Sequence, residues 1–121
     1  MNPLLFVYGT LKRGCCNHAQ LAGHKFIGPA RTVPGYRLFE LGGYPGLVAV
    51  AADRDGVIGE VWGVDAARLD NLDVFEGVPE GLYRREPFAL LAPFAGQRIE
   101  GYFHAGSIAG RREIGAEWVE N

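Results

Sequence analysis

At 121 residues the chain is the size of one domain, residues 1–121, because two would each be too small to bury a core. A hydrophobic fraction of 48% excludes wholesale disorder. The formal net charge is −2, and the 12 Lys+Arg are scattered rather than blocked, so nothing points to nucleic acid or an anionic membrane surface.

Residues 4–8 form a short apolar run stopped by Gly9, which reads as a buried first strand. This start lacks the basic region and long apolar stretch of a signal peptide. No apolar run anywhere approaches the roughly 20 residues that span a bilayer. A cytoplasmic location is therefore expected. Residues 9–14 are a loop, and Asn17 is placed to cap a short helix ending near Leu21 and Gly23. The two cysteines, Cys15 and Cys16, are adjacent and cannot staple distant segments, which points to a reducing compartment.

Residues 26–33 and 36–41 read as strands around a Pro34-Gly35 turn, and residues 47–51 as a further strand after a glycine-rich turn. The run Asp53-Arg54-Asp55-Gly56 looks like a hairpin connection into residues 57–64. Asp65 is an N-cap for a helix over residues 66–76, with Gly77 just past its end. Residues 83–91 and 98–104 are two more strands joined by a turn, and the polar tail from Gly106 has room for one helical turn. Six or seven strands with one clear helix make an α+β pattern without βαβ alternation. So many short strands satisfy their edges most simply by curling into a small barrel.

Glu76 is the most informative polar residue. At about 100° per residue it falls on the face defined by Leu69 and Leu72, with Phe75 beside it. A carboxylate on an apolar face at the negative end of a helix has its ionised form disfavoured, so its pKa is expected to rise. A raised carboxyl suits a group that takes and then returns a proton near neutral pH. The alternative is a side chain at a frayed helix end, bent into solvent. Asp73 is the rival carboxylate, read as a partner for Arg85 or for a backbone amide.

The stretch Val7-Tyr8-Gly9-Thr10-Leu11-Lys12-Arg13-Gly14 ends a strand in a turn whose amides can point at an anion. It lacks P-loop spacing, and on its own it is equally a plain strand-to-turn junction. Cys15, Cys16 and His18 have no second ligand pair at zinc-like spacing, so no metal is expected. His24 and His104 are isolated, and no G-x-S-x-G elbow is present.

That stretch, together with Gly59-Glu60-Val61-Trp62, Leu72-Asp73-Val74-Phe75-Glu76-Gly77 and Leu82-Tyr83-Arg84-Arg85, stands in the order and spacing of the gamma-glutamylcyclotransferase-like family. The opening, with Asn17-His18 after it, resembles the gamma-glutamylamine cyclotransferase branch. Residues 38–46 resemble the small bacterial members. The resemblance implies a small mixed-strand β-barrel with flanking helices and an enzyme that releases 5-oxoproline from L-gamma-glutamyl amides. It implies Glu76 as the catalytic acid/base, and Tyr8, Gly9, Thr10 and Leu11 as the substrate-binding loop.

The reaction so implied needs a small-molecule substrate and no cofactor; a monomer is the default. Tyr83 or Tyr102 lines the pocket, and the loops over residues 42–46 and 78–82 set its width. Two other readings of the same residues are a non-catalytic module that binds a gamma-glutamyl or amino-acid ligand, and an amide hydrolase in which Glu76 activates water.

Overall fold

A computed structural model describes residues 3–120 of the chain. The elements run β1 (Leu4–Val7), a 3-10 turn (His18–Leu21), β2 (Lys25–Arg31), β3 (Tyr36–Glu40), β4 (Pro45–Ala49) and β5 (Ile58–Gly63). They continue with α1 (Ala66–Phe75), β6 (Tyr83–Phe88), β7 (Ile99–His104) and β8 (Glu113–Gly115). The expected strands are all present, with bounds shifted by one to three residues. The polar tail holds β8 where a helical turn was expected.

The strands form two sheets, a five-stranded one ordered β2-β5-β1-β7-β6 and a three-stranded one ordered β4-β3-β8. Neither sheet closes, so the expected barrel is corrected to two open sheets. Among the described residues the edges of the larger sheet, β2 and β6, approach each other at one isolated bridge just past their ends, Thr32 to Leu90. Each edge strand carries a proline, Pro29 in β2 and Pro87 in β6, which cannot donate to a further ladder. The expected hairpin at residues 53–56 is also corrected. It is a crossover, because β4 pairs with β3 while β5 pairs with β1 and β2.

Asp53 makes that crossover possible. Its buried carboxylate accepts the amides of Gly35 at 2.8 Å and Gly56 at 2.7 Å, with those of Tyr36 and Asp55 at 3.3 and 3.2 Å. Arg37 Nε lies 2.7 Å from its other side. One side chain thus ties the β2–β3 corner to the β4–β5 crossover.

Strand β1 is buried on both faces, which is why it reads as a continuous apolar run. Leu5 and Val7 face one core with Trp62, Val64, Leu69 and Leu72, under the helix. Phe6 and Tyr8 face the other, where Leu38 and Leu47 of the small sheet meet Phe88 and Phe103. Helix α1 packs on the first core through Leu69 and Leu72, both buried. The helices described are too short to cross a membrane.

Candidate active site

The end of α1 fixes the position of Glu76. Asp65 caps the start, its Oδ1 accepting the Arg68 amide at 2.8 Å. At the other end the Gly77 amide donates to Val74 O and the Val78 amide to Asp73 O, at 3.0 and 2.9 Å. These two bonds form a Schellman motif, with Gly77 in the left-handed conformation it requires (φ 71°). Glu76 is the C-cap residue, still helical in backbone, and its amide bonds Leu72 O at 2.8 Å. The closed turn holds its Cα rigidly, and the frayed, solvent-facing alternative does not hold.

Glu76 lines a cavity of about 250 Å³ that is also lined by the end of β1 and the loop after it, Tyr8, Gly9, Thr10 and Leu11. No hydrogen bond among the described residues engages the Glu76 carboxylate. Burial alone pushes its pKa from 4.5 up to about 7. Asp73, three residues earlier, has the opposite fate. Burial opposes its ionisation, but Arg85 grips it with Nε and a second nitrogen at 2.8 and 3.1 Å, and the Tyr102 hydroxyl donates at 2.7 Å. Its pKa is lowered. The partnership with Arg85 is the one the sequence suggests.

In the loop, no hydrogen bond among the described residues takes up the amides of Gly9, Thr10 or Leu11. The Lys12 amide closes the turn onto Gly9 O at 3.1 Å. Gly9 is required by close approach. A Cβ there would lie 2.7 Å from Pro45 Cγ, so only glycine lets β4 lie against the loop. The loop is held from behind by Glu60, whose Oε1 accepts the Arg13 amide at 3.0 Å and the Trp62 indole at 3.1 Å.

Asn17 is a site residue that its sequence position did not reveal. It makes no side-chain cap to the turn that follows it. Its Nδ2 instead donates to Thr10 Oγ1 at 3.0 Å, its amide donates to Thr10 O at 2.9 Å, and it lines the cavity. The signal in the sequence was the Asn17-His18 pair that follows the opening motif, which the cap reading did not use.

Both Tyr83 and Tyr102 line the cavity, which settles the open choice between them. The Tyr83 hydroxyl donates to Pro45 O at 2.8 Å. That of Tyr8 donates to Tyr102 O at 2.6 Å and accepts the Leu47 amide at 3.2 Å. Burial is the largest cause holding all three phenols protonated, and the Glu76 charge adds to it. Phe75, expected beside the buried face, stands at the cavity rim and is half exposed.

The site therefore combines one carboxyl whose pKa is raised to near neutrality, a run of amides unengaged among the described residues, and hydrogen-bonded phenols, all lining one cavity. Such an arrangement can hold an anionic group and move one proton at a time.

A profile of the family described as gamma-glutamyl cyclotransferase, AIG2-like, matches residues 5–118. A putative gamma-glutamylcyclotransferase of Vibrio cholerae is 45% identical over 86 residues, covering 71% of each chain. The human gamma-glutamylaminecyclotransferase is 40% identical over 89 residues, covering 68% of this chain and 58% of its own. The crystal structure of a mouse AIG2-like protein superposes with a TM-score of 0.72 at 29% identity, covering 88% of this chain and 78% of the mouse chain. By profile, identity and fold, the chain belongs to the gamma-glutamyl cyclotransferase, AIG2-like family.

Proposed function

We propose that the chain cyclises L-gamma-glutamyl amides to 5-oxoproline and a free amine, with Glu76 as the single acid/base. The observation that carries this reading is a carboxyl with no hydrogen-bond partner among the described residues, its pKa raised by burial to about 7, lining the same cavity as three residues whose amides are unengaged among the described residues. The Glu76 carboxylate takes a proton from the substrate's α-ammonium. The freed nitrogen attacks the γ-carbonyl carbon of the same molecule, forming the lactam C–N bond and a tetrahedral oxyanion. Protonated Glu76 gives its proton to the leaving nitrogen as the original amide C–N bond breaks, the surplus proton on the ring nitrogen passes to the departing amine, which leaves as the ammonium, and the carboxylate is restored.

The amides of Gly9, Thr10 and Leu11 supply donors for the α-carboxylate or the oxyanion. Holding the substrate folded on itself is the larger contribution, since well-oriented intramolecular attack reaches effective molarities of about 10^5–10^8 M. Proton transfer and orientation account for every step, so no nucleophilic side chain is needed.

Incubation with a panel of gamma-glutamyl amines, followed by product analysis, tests the reading. Release of 5-oxoproline with stoichiometric amine is expected. Glutamate in its place means that Glu76 activates water, and ligand retention without product means a binding module.

A further inference from the structure

We infer that Tyr44, Phe75 and Leu82 form a leaving-group subsite at the cavity mouth, selecting gamma-glutamyl amides whose amine is apolar rather than anionic; this rests on the cyclisation reading above. These residues come from three separate segments: the β3–β4 turn, the last position of α1, and the loop before β6. Their exposures are 44%, 44% and 56%, and all three line the one cavity. Single exposed apolar side chains are ordinary, but three converging on one opening mark a binding surface.

The rim is also positioned. Leu82 packs on Gly77, where an added Cβ would meet Leu82 Cδ1 at 2.6 Å, and its amide donates to Gly77 O at 3.0 Å. Tyr44 O accepts the Leu41 amide at 2.9 Å, which closes the turn that carries the ring.

The second argument is charge. Among the described residues no lysine, arginine or histidine lines the cavity, and Glu76 is its one carboxylate. Glu76 must reach the leaving nitrogen to protonate it, so whatever that nitrogen carries lies in the cavity that Phe75 also lines. An apolar group there meets an aromatic and aliphatic rim. A carboxylate there meets no cation and lies near a group of its own charge, so it is disfavoured.

The test compares gamma-glutamyl benzylamide, its 4-carboxybenzyl analogue and gamma-glutamyl methylamide. The expected result is a kcat/KM for benzylamide about tenfold or more above that for the carboxylated analogue, the scale on which apolar pockets discriminate. In Leu82→Ala and Phe75→Ala, the benzylamide-to-methylamide ratio of kcat/KM should fall about tenfold. Leu82→Lys, at an exposed position that tolerates charge, should shift preference toward the carboxylated analogue. Calorimetry on Glu76→Gln reads the same preference in Kd without turnover.

Release of 5-oxoproline from all three amides at similar kcat/KM overturns the subsite and leaves the cyclisation standing. Preferential binding of benzylamide without any 5-oxoproline overturns the cyclisation and supports the subsite. Equal Kd for the benzyl and carboxybenzyl amides, or ratios unmoved by the rim variants, overturns the subsite directly.

Discussion

Asp53, at the corner that joins the two sheets, and Glu76, at the end of α1, are both carboxyls withdrawn from water, and they end in opposite states. Around Asp53 the backbone of two turns converges, so four amides and Arg37 replace the lost hydration. Burial opposes ionisation there, yet those amides hold its pKa well below the usual carboxylate range. Around Glu76 no group among the described residues replaces the water, and the pKa climbs to about 7. The difference is one of supply: a carboxylate given donors becomes a rivet, and one denied them keeps its proton to near neutral pH. Asp73 sharpens the contrast, because it shares the helix end with Glu76 and belongs to the riveted kind.

The largest effect is expected at Glu76. Glu76→Gln keeps the shape but cannot accept and return a proton, so kcat for 5-oxoproline formation should fall by about 10^2–10^4-fold, with the fold retained. For the wild type, kcat/KM should rise as pH passes about 7, because the free enzyme must present the carboxylate.

Stability has the opposite sign. The folded-state pKa is raised, so the native state binds more protons than the unfolded chain between 4.5 and about 7, and stability falls as pH rises through that window. Urea unfolding of both proteins across pH 4 to 8 should show the wild type losing ground to Glu76→Gln only inside it. A flat difference would mean that the two carboxyls do not differ as described.

The next effect belongs to the rivet. Asp53→Asn turns an amide NH₂ toward backbone donors and removes the charge beside Arg37. It should cost on the order of 2 kcal/mol at neutral pH, read from denaturant midpoints. Because the folded pKa is depressed, the wild-type advantage is full above the unfolded value of about 3.9 and is lost as pH falls through the folded pKa. The two unfolding curves should therefore converge in acid. Activity per folded molecule should persist, since Asp53 lies outside the cavity.

The smallest effect is expected for Tyr102→Phe. It removes one donor from Asp73 while leaving Arg85 in place. A stability loss of about 1 kcal/mol and a few-fold change in KM are expected, with the kcat pH profile unmoved. A shift in that profile would show that Asp73, and not Glu76 alone, takes part in the proton transfer.

Local chemistry made much of this molecule readable along the chain. Glycine and proline punctuation marks most strand ends, because turn geometry is set by the residues in the turn. Asp65 and Gly77 bracket α1 because capping bonds reach only three to five residues. The placement of Glu76 on the Leu69 and Leu72 face follows from helical spacing alone, and the break between strand and loop follows from Gly9, while the choice of residues 8–11 as a binding loop came from the family resemblance.

What no local rule decides is which strands pair. The same short strands suit a closed barrel or two open sheets. The choice rests on contacts between residues far apart in the chain, such as the Tyr8 hydroxyl on Tyr102 O and Asp53 on the Gly35 amide. Asn17 shows the same limit on a smaller scale. Its side chain had two partners within reach, a helix start and the Thr10 hydroxyl, and the folded loop settled between them. The state of Glu76 is tertiary as well. Its position on the helix is local, but its pKa depends on how much water the surrounding segments leave around it, and those segments meet only when the sheets and α1 pack.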